Sequence, residues 1–470
     1  MFKKLVLYIS MSIMITTLSF LYSFDHGPVA EGGVSVTPNT IRIGLVREVP
    51  EMQFSVQGEY VLLNGYGGEV ITKLEPHKRY TVERIDRGIN NSVIKLSSDG
   101  QSIGSYSAPL VVKKVVEQIN ILSGSGALAK RTSGQGLSAV NAEGEIINLS
   151  EDLSQYKFIT VNGMNDFQVN TKQQLVTLFG SGESKRYRGD FDFRLDEKGI
   201  TIINDLPFEE YLYGIVPSEM PNHWPKEALK AQAVVARTYA LYSQGQYLAY
   251  GFDILASQQN QIYHGYDQET TATNAAVQQT KGQVLTYDNR LIMAVFHSSN
   301  GGFTGNCSEV WKEEVPYLQA KKDSFDYNEK HYNWSITMTA DQIAKQLTER
   351  GYPYSVVLNL AEAQRDETGA RVKVMHLKGL DKNGDLKEED VFNADRVRFA
   401  LGLKSSVFNM DKHYDQNNNL QQVTFSGNGW GHGLGMSQYG ARAMSLEGYT
   451  YQDILKYYYS DVELEHSYGV

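Results

Sequence analysis

The chain has 470 residues, 41% of them apolar and 21% charged, with a formal net charge of −10. That apolar share excludes disorder throughout, and the length is material for roughly two or three domains. The acidic balance excludes nucleic-acid binding by bulk electrostatics, and a single cysteine, Cys307, excludes an internal disulfide framework.

At the N-terminus, Lys3 and Lys4 precede an uncharged apolar run from Leu5 to Phe24. About 20 such residues span a bilayer as a helix, and positive charge before them keeps the terminus in the cytoplasm. No small-x-small cleavage site follows, so residues 1–24 are expected to be a membrane anchor or signal segment. The expected location is the cell membrane, single-pass with an extracytoplasmic C-terminal domain, or secretion if 1–24 are cleaved. Residues 25–40, rich in Gly, Pro, Ser and Thr, are a linker.

From Ile41 the pattern is β-like. IRIGLV alternates, and EYVLLNGYGGEVITKL is two strands around a Gly turn. A β-rich N-terminal region over 41–155 is expected, with Leu110–Leu122 open between helix and strand. A second domain covers 156–465, starting with strands that end in GITIINDLPFEEYLYGIV. Pro225–Gln244 is then a helix, with Pro in the first turn, an apolar face at helical spacing and Gly245 past the end. Residues 281–298 return to strand, and 339–351 are a capped helix. Residues 327–425 are a β-rich insertion. A glycine-rich loop and a helix close the chain. The fold class is α+β: a mixed β-rich domain with a few packed helices, an anchor helix and a smaller β-rich N-terminal region.

Three constellations carry chemistry. In LPFEEYLYGIVPSEMPNHWP, Glu219 stands between Pro217 and Pro221, beside Met220, His223 and Trp224. Proline makes this a rigid non-helical turn. A carboxyl held there among apolar groups is desolvated and its pKa rises, as a general acid requires. Residue type alone equally allows Glu219 to cap the next helix or pair with Arg237. In SGNGWGHGLGMSQYGARAM, Gly recurs at every second position from 427 to 435, around Trp430 and His432. Alternate glycines permit a backbone that side chains forbid. Ser437 and Gln438 start the following helix. In VFHSSNGGFTGNCSEVW, His297 and Cys307 are weak candidates for zinc, but two ligands do not make a site. DKNGDLKEED, at 381–390, has its Gly in the wrong place for a calcium loop, and Asn383–Gly384 suits a hairpin turn.

These three segments resemble the stage II sporulation protein D / amidase-enhancer (SpoIID/LytB) family, through LPFEEYLYGIVPSEMP, EALKAQAVVARTYA, FHSSNGGFT…EVW and GNGWGHGLGMSQYGA. The resemblance implies a membrane-tethered lytic transglycosylase that cleaves peptidoglycan glycan strands, preferably stripped of stem peptides, during sporulation or wall remodelling. It implies Glu219 as the catalytic acid. Trp430, His432, Ser437, Gln438, His297 and Arg237 are the candidates for the substrate groove. It implies an amidase/endopeptidase and a membrane protein of the engulfment machinery as partners. No cofactor is required, and zinc enters only because some relatives bind it; here Ser299 and Phe303 occupy part of that stretch. Other members enhance a separate amidase, so the alternative is a non-catalytic wall-binding enhancer of an N-acetylmuramoyl-L-alanine amidase.

Overall fold

A computed structural model describes residues 40–87, 92–115, 173–180, 182–257, 260–327 and 332–466, and four short strands between 119 and 148. The expected anchor at 5–24 lies outside the described residues. Among those described, no helix is long and apolar enough to cross a membrane. The chain divides into two compact bodies, one of Val36–His223 with Ala240–Lys281 and one of Trp224–Tyr239 with Gly282–Val470.

The first body is mostly strand. It contains β1 (Thr40–Val49), β2 (Glu51–Gln57), β3 (Tyr60–Asn64), β4 (Val70–Leu74), β5 (Tyr80–Asp86), β6 (Ser92–Ser98), β7 (Gln101–Tyr106) and β8 (Leu110–Lys114). Short strands β9 (Ile119–Leu122), β10 (Leu128–Thr132), β11 (Ser138–Val140) and β12 (Ile146–Asn148) form two separate pairs. The segment Leu110–Leu122, open on sequence grounds, therefore holds two strands. Then come β13 (Leu175–Phe179), β14 (Ser184–Tyr187), β15 (Asp190–Leu195) and β16 (Ile200–Pro207).

Seven strands form one sheet in the order β17-β1-β16-β15-β8-β3-β4, where β17 is the short Ile254–Leu255. Six form another, β14-β13-β2-β5-β6-β7. Alternation decides which faces turn inward: Ile41 and Ile43 in β1, and Ile94 and Leu96 in β6, are fully buried. The sheets meet at Phe54, whose ring lies 5.5 Å from Tyr80 and 5.1 Å from Phe193 of the other sheet. Strands β13 to β16 pair with β2, β1 and β8, so both sheets run through the division expected at residue 155.

One element differs from expectation. Strand β16 stops at Pro207, and Phe208–Glu219 is helix α1 rather than more strand and a rigid non-helical turn. The buried residues Tyr211, Leu212, Ile215 and Val216 recur at helical spacing, and Glu209 and Glu210 suit the positive end of the helix dipole. Pro217 lies in the last turn. Met220 N still donates to Val216 O (2.9 Å), and Ser218 Oγ to Gly214 O (2.8 Å). Glu219 is therefore the last helical residue, half-buried.

Helix α2 (Lys226–Tyr242) matches the expected helix and contains the division at Tyr239. Its Ala228, Ala231, Ala233 and Ala236 are fully buried, which suits close packing. The first body ends with α3 (Thr271–Gln279), capped by the Thr270 side chain.

The second body continues with the hairpin β18 (Gln283–Tyr287) and β19 (Arg290–Leu291), then β20 (Phe296–His297) and the one-turn α4 (Cys307–Val310). The insertion follows: β21 (Asn333–Thr339), α5 (Ala340–Glu349), β22 (Val356–Arg365), β23 (Val372–Leu380), β24 (Leu386–Phe392), α6 (Ala394–Leu401), β25 (Phe408–Tyr414) and β26 (Leu420–Asn428). It forms two three-stranded sheets around a core that includes Ile343, Leu347, Leu360, Val397, Val423 and Phe425. Helix α5 carries a full capping box, Thr339 with Gln342. The β23–β24 hairpin turns at Asn383–Gly384, as expected. Short β27 (Met436–Ser437), α7 (Gln438–Leu446), α8 (Tyr451–Tyr458) and β28 (Glu463–His466) complete the chain.

Candidate functional site

The glycine-rich loop is stitched to the segment after β20. Ser299 N donates to Trp430 O (3.0 Å) and Trp430 N to Ser299 O (2.7 Å), while β20 and β27 pair in parallel. Four of the five alternate glycines, 429, 431, 433 and 435, have positive φ; Gly427 lies in β26. A Cβ on Gly431 would stand 2.8 Å from His297 Cβ, and one on Gly435 would stand 2.1 Å from Val295 O. Absent side chains, not only backbone freedom, let these segments touch.

Beneath the loop lies a buried polar network. Asp326, with no exposed surface, accepts from Ser299 Oγ (2.9 Å), Ser437 Oγ (2.8 Å) and the Asn300 backbone N–H. Burial pushes its carboxyl up to about 6, against the pull of these three donors. Ser437 also caps α7, accepting from Gly440 N (3.1 Å), so one hydroxyl joins the helix start to the carboxylate. Asp323 accepts from Asn300 Nδ2 (2.7 Å) and Tyr458 OH (2.8 Å). Arg371, fully buried, donates to Asn300 O (3.0 Å), Phe303 O and Ser406 Oγ (3.3 Å), and burial draws it down to about 10.

The two histidines are held by main chain. His432 donates from Nε2 to Phe296 O (3.0 Å) and accepts at Nδ1 from Leu434 N–H (3.0 Å), a pairing that only the neutral ring can make. Burial, with Arg398 and Arg371 nearby, pushes it down to about 4 against the pull of Asp395. Its ring lies 5.3 Å from His297 and 4.9 Å from Trp311. His297 donates from Nδ1 to Leu434 O (2.9 Å), and its buried Nε2 has no hydrogen-bond partner among the described residues. Burial first, then His432 and Arg371, pushes His297 well below the usual imidazole range.

The expected site residues therefore fall into two groups. Glu219 belongs to the first body; Trp430, His432, Ser437, Gln438, His297 and Arg237 belong to the second. Only Trp430 among those six is well exposed, at 42%. His432 is half-buried, whereas His297, Ser437, Gln438 and Arg237 are buried. Gln438 Nε2 donates to Gln232 Oε1 (3.3 Å), and Arg237 Nη1 to Gln283 O (3.2 Å). Asp326, Asp323, Arg371 and Lys404 belong to this site and had no signal in the sequence, since none lies in a recognisable motif.

Cys307 is fully buried, and burial, with Glu313 near, pushes its thiol up to about 12. A thiol kept protonated is a poor metal ligand. Among the described residues no group of three or more His, Cys, Asp or Glu side chains could hold a metal ion.

A mixed α+β chain with a glycine loop bonded across to an FHSSNGG strand end is the class of protein seen here. Residues 196–287 match the family model described as stage II sporulation protein, and 311–435 match one of a domain of unknown function. The amidase enhancer of Bacillus subtilis is 33% identical over 54% of this chain and 40% of its own length. Stage II sporulation protein D of the same organism is 32% identical over 56% of this chain and 75% of its own. That of Bacillus amyloliquefaciens is 30% identical, again over 56% and 75%. The chain belongs to the stage II sporulation protein D family. It spans less than half the length of the amidase enhancer it matches.

Proposed function

We propose that the chain is a lytic transglycosylase of the cell envelope that cuts peptidoglycan glycan strands in sporulation or wall remodelling. The observation that carries this reading is Glu219 itself. It is a half-buried carboxyl at the end of α1, inside the stretch that matches the family model. The last turn of a helix presents the negative end of its dipole, which disfavours a carboxylate by about 0.3–1 kcal/mol. That contribution has the sign a proton donor needs.

In the proposed reaction Glu219 protonates the glycosidic oxygen, and the bond from that oxygen to C1 of the muramic sugar breaks. The 6-hydroxyl of the same sugar closes on C1, and its proton returns to the Glu219 carboxylate. The products are a 1,6-anhydro end and a free hydroxyl on the departing sugar. No water is consumed, so no second carboxylate is required, unlike ordinary glycoside hydrolysis. The proposed location is the extracytoplasmic face of the membrane, held there by residues 5–24, with an amidase or endopeptidase and a membrane protein as partners.

The similarity to a protein named amidase enhancer favours a second reading, a module that binds the wall and activates an amidase. One experiment separates the two. Glycan strands freed of peptide are incubated with the protein and the products weighed by mass spectrometry. New anhydro ends from the native chain, absent with Glu219→Gln at unchanged folding, support the enzyme. Undiminished anhydro product from that variant defeats the role given to Glu219. Binding without any product favours the enhancer.

A further inference from the structure

We infer that the cavity between the β18–β19 hairpin and Pro316–Tyr317 is a docking slot for the carboxyl-terminal tail of a partner protein, taken up in extended form. The slot lies wholly in the second body and depends neither on Glu219 nor on the glycan reading. It measures about 440 Å³ and is lined by Tyr287, Asp288, Arg290, Leu291, Pro316 and Tyr317. Small-ligand sites run from about 300 to 1,000 Å³, so this one has room for the end of a chain and not for a folded element.

One side of the slot is an open sheet edge. The hairpin sheet has the order β19-β18-β28, so β19 is an outer strand. Thr286 stands opposite Leu291, and Ile292 N donates to Leu285 O (3.2 Å). In an antiparallel ladder, bonded pairs alternate with pairs whose main chain faces outward. Leu291 is of the second kind, so its N–H and C=O point away from β18. Two residues on and facing the same way, Met293 N donates to Tyr317 OH (2.9 Å). The phenol takes the bond that a further strand would take and closes the edge beyond Leu291. A strand running through would meet that ring, whereas a chain end stops short of it.

Both walls are fixed before a ligand arrives, which lowers the ordering cost of binding. Asp288 and Asn289 have φ of 48° and 57°, the tight form that two-residue hairpins use. Opposite them, Ser460 N donates to Tyr317 O (3.1 Å) and Cys307 N to Leu318 O (3.1 Å). The Tyr287 and Tyr317 rings lie 5.7 Å apart, and with Leu291 and Pro316 they offer apolar walls to a terminal side chain. Arg290, exposed on the rim, supplies the charge that selects the end. A guanidinium holds a carboxylate by two parallel hydrogen bonds, and every polypeptide carries one α-carboxylate. An ammonium terminus would instead set a second cation beside Arg290. Asp288, also on the rim, suits a main-chain N–H of the same ligand.

The test is a fluorescence-anisotropy titration of the full chain with labelled hexapeptides of one glycine–serine sequence ending in leucine. They end as the free carboxylate, as the carboxamide, or as the carboxylate of D-leucine. The free L-peptide is expected to bind on the order of tenfold more tightly than either of the others, as for a hydrogen bond to a charged group. Arg290→Met should erase the preference for carboxylate while leaving carboxamide affinity unchanged, and Arg290→Lys should keep part of it. Leu291→Pro removes the outward N–H of an edge strand and no bond to β18, so it should weaken both L-peptides alike. Unchanged tryptophan fluorescence checks that each variant is folded. Equal binding of acid and amide, a preference that survives Arg290→Met, or tighter binding of the D-form overturns the inference and leaves the glycan reading standing. So does the absence of binding by any of the three at millimolar concentration.

Discussion

Gly433 tests whether the glycine loop owes its glycines to space or to backbone angle. Its φ is +85°, and a Cβ there would stand 2.1 Å from Arg371 Nη2 and 2.4 Å from Cζ. Gly384, in the β23–β24 turn of the same body, has φ +87° and nothing within 4 Å of such a Cβ. The two alanine substitutions therefore share the cost of the left-handed backbone, about 1–2 kcal/mol. They differ in the guanidinium. Displacing Arg371 breaks its Nη2 bonds to Asn300 O and Phe303 O in the interior. At about 1.5–3 kcal/mol for each charged hydrogen bond, Gly433→Ala should cost roughly 4–8 kcal/mol in total. That approaches the ~5–15 kcal/mol that holds a domain folded. All four tryptophans, Trp224, Trp311, Trp334 and Trp430, lie in the second body, so their fluorescence in urea reports that body. With a slope of about 2 kcal/mol per molar, the midpoint should fall by about 2 M or more for Gly433→Ala and by less than about 1 M for Gly384→Ala. Equal losses for the two variants, within about 1 kcal/mol, would refute the packing argument.

Asp326 should give the second body an unusual pH dependence. Its folded pKa of about 6 lies above the ordinary 3.8, so the folded state binds the extra proton. Its contribution is full below about pH 4 and is lost as pH rises through about 6, a change of about 3 kcal/mol. The tryptophan-monitored stability of Asp326→Asn, compared with the native chain at pH 4.5 and 7, should lack that fall; parallel curves would dismiss it. The buried Cys307 thiol, raised to about 12, should react with a disulfide reagent at pH 8 about a thousandfold more slowly than in urea-unfolded protein. Labelling of the native chain at the unfolded rate would contradict its burial.

Local signals explain which parts of this structure could be read from sequence. Helix α2 was legible because proline, alanines and a terminal glycine agree with one another, and α5 because Thr339 and Gln342 form a capping box. Helix α1 was not. Tyr211, Ile215 and Val216 favour strands by composition, Pro217 argues against helix, and burial of one helical face outweighs both. The crowded loop was legible in its alternate glycines, and so were Trp430 and His432. The burial of His297, Ser437 and Gln438 was not, since residue type cannot distinguish a groove from its support. Asp326 was invisible because its partners lie 27 and 111 positions away.

The insertion begins and ends at one place. Asn333 of β21 pairs with Asn428 of β26, and two residues later Trp430 meets Ser299. The long excursion between them has its own hydrophobic centre and returns the chain to where it left. Closure entropy grows only logarithmically with loop length, and a self-folding excursion counts as little more than its two paired ends. Length can therefore vary at little cost where the excursion is remote from the loop, as at the β23–β24 turn. The stretch is still no detachable module, because Arg371, Lys404 and Ser405 tie it to Asn300, Gly431 and Asn428, so whatever replaced it would have to supply those three anchors again.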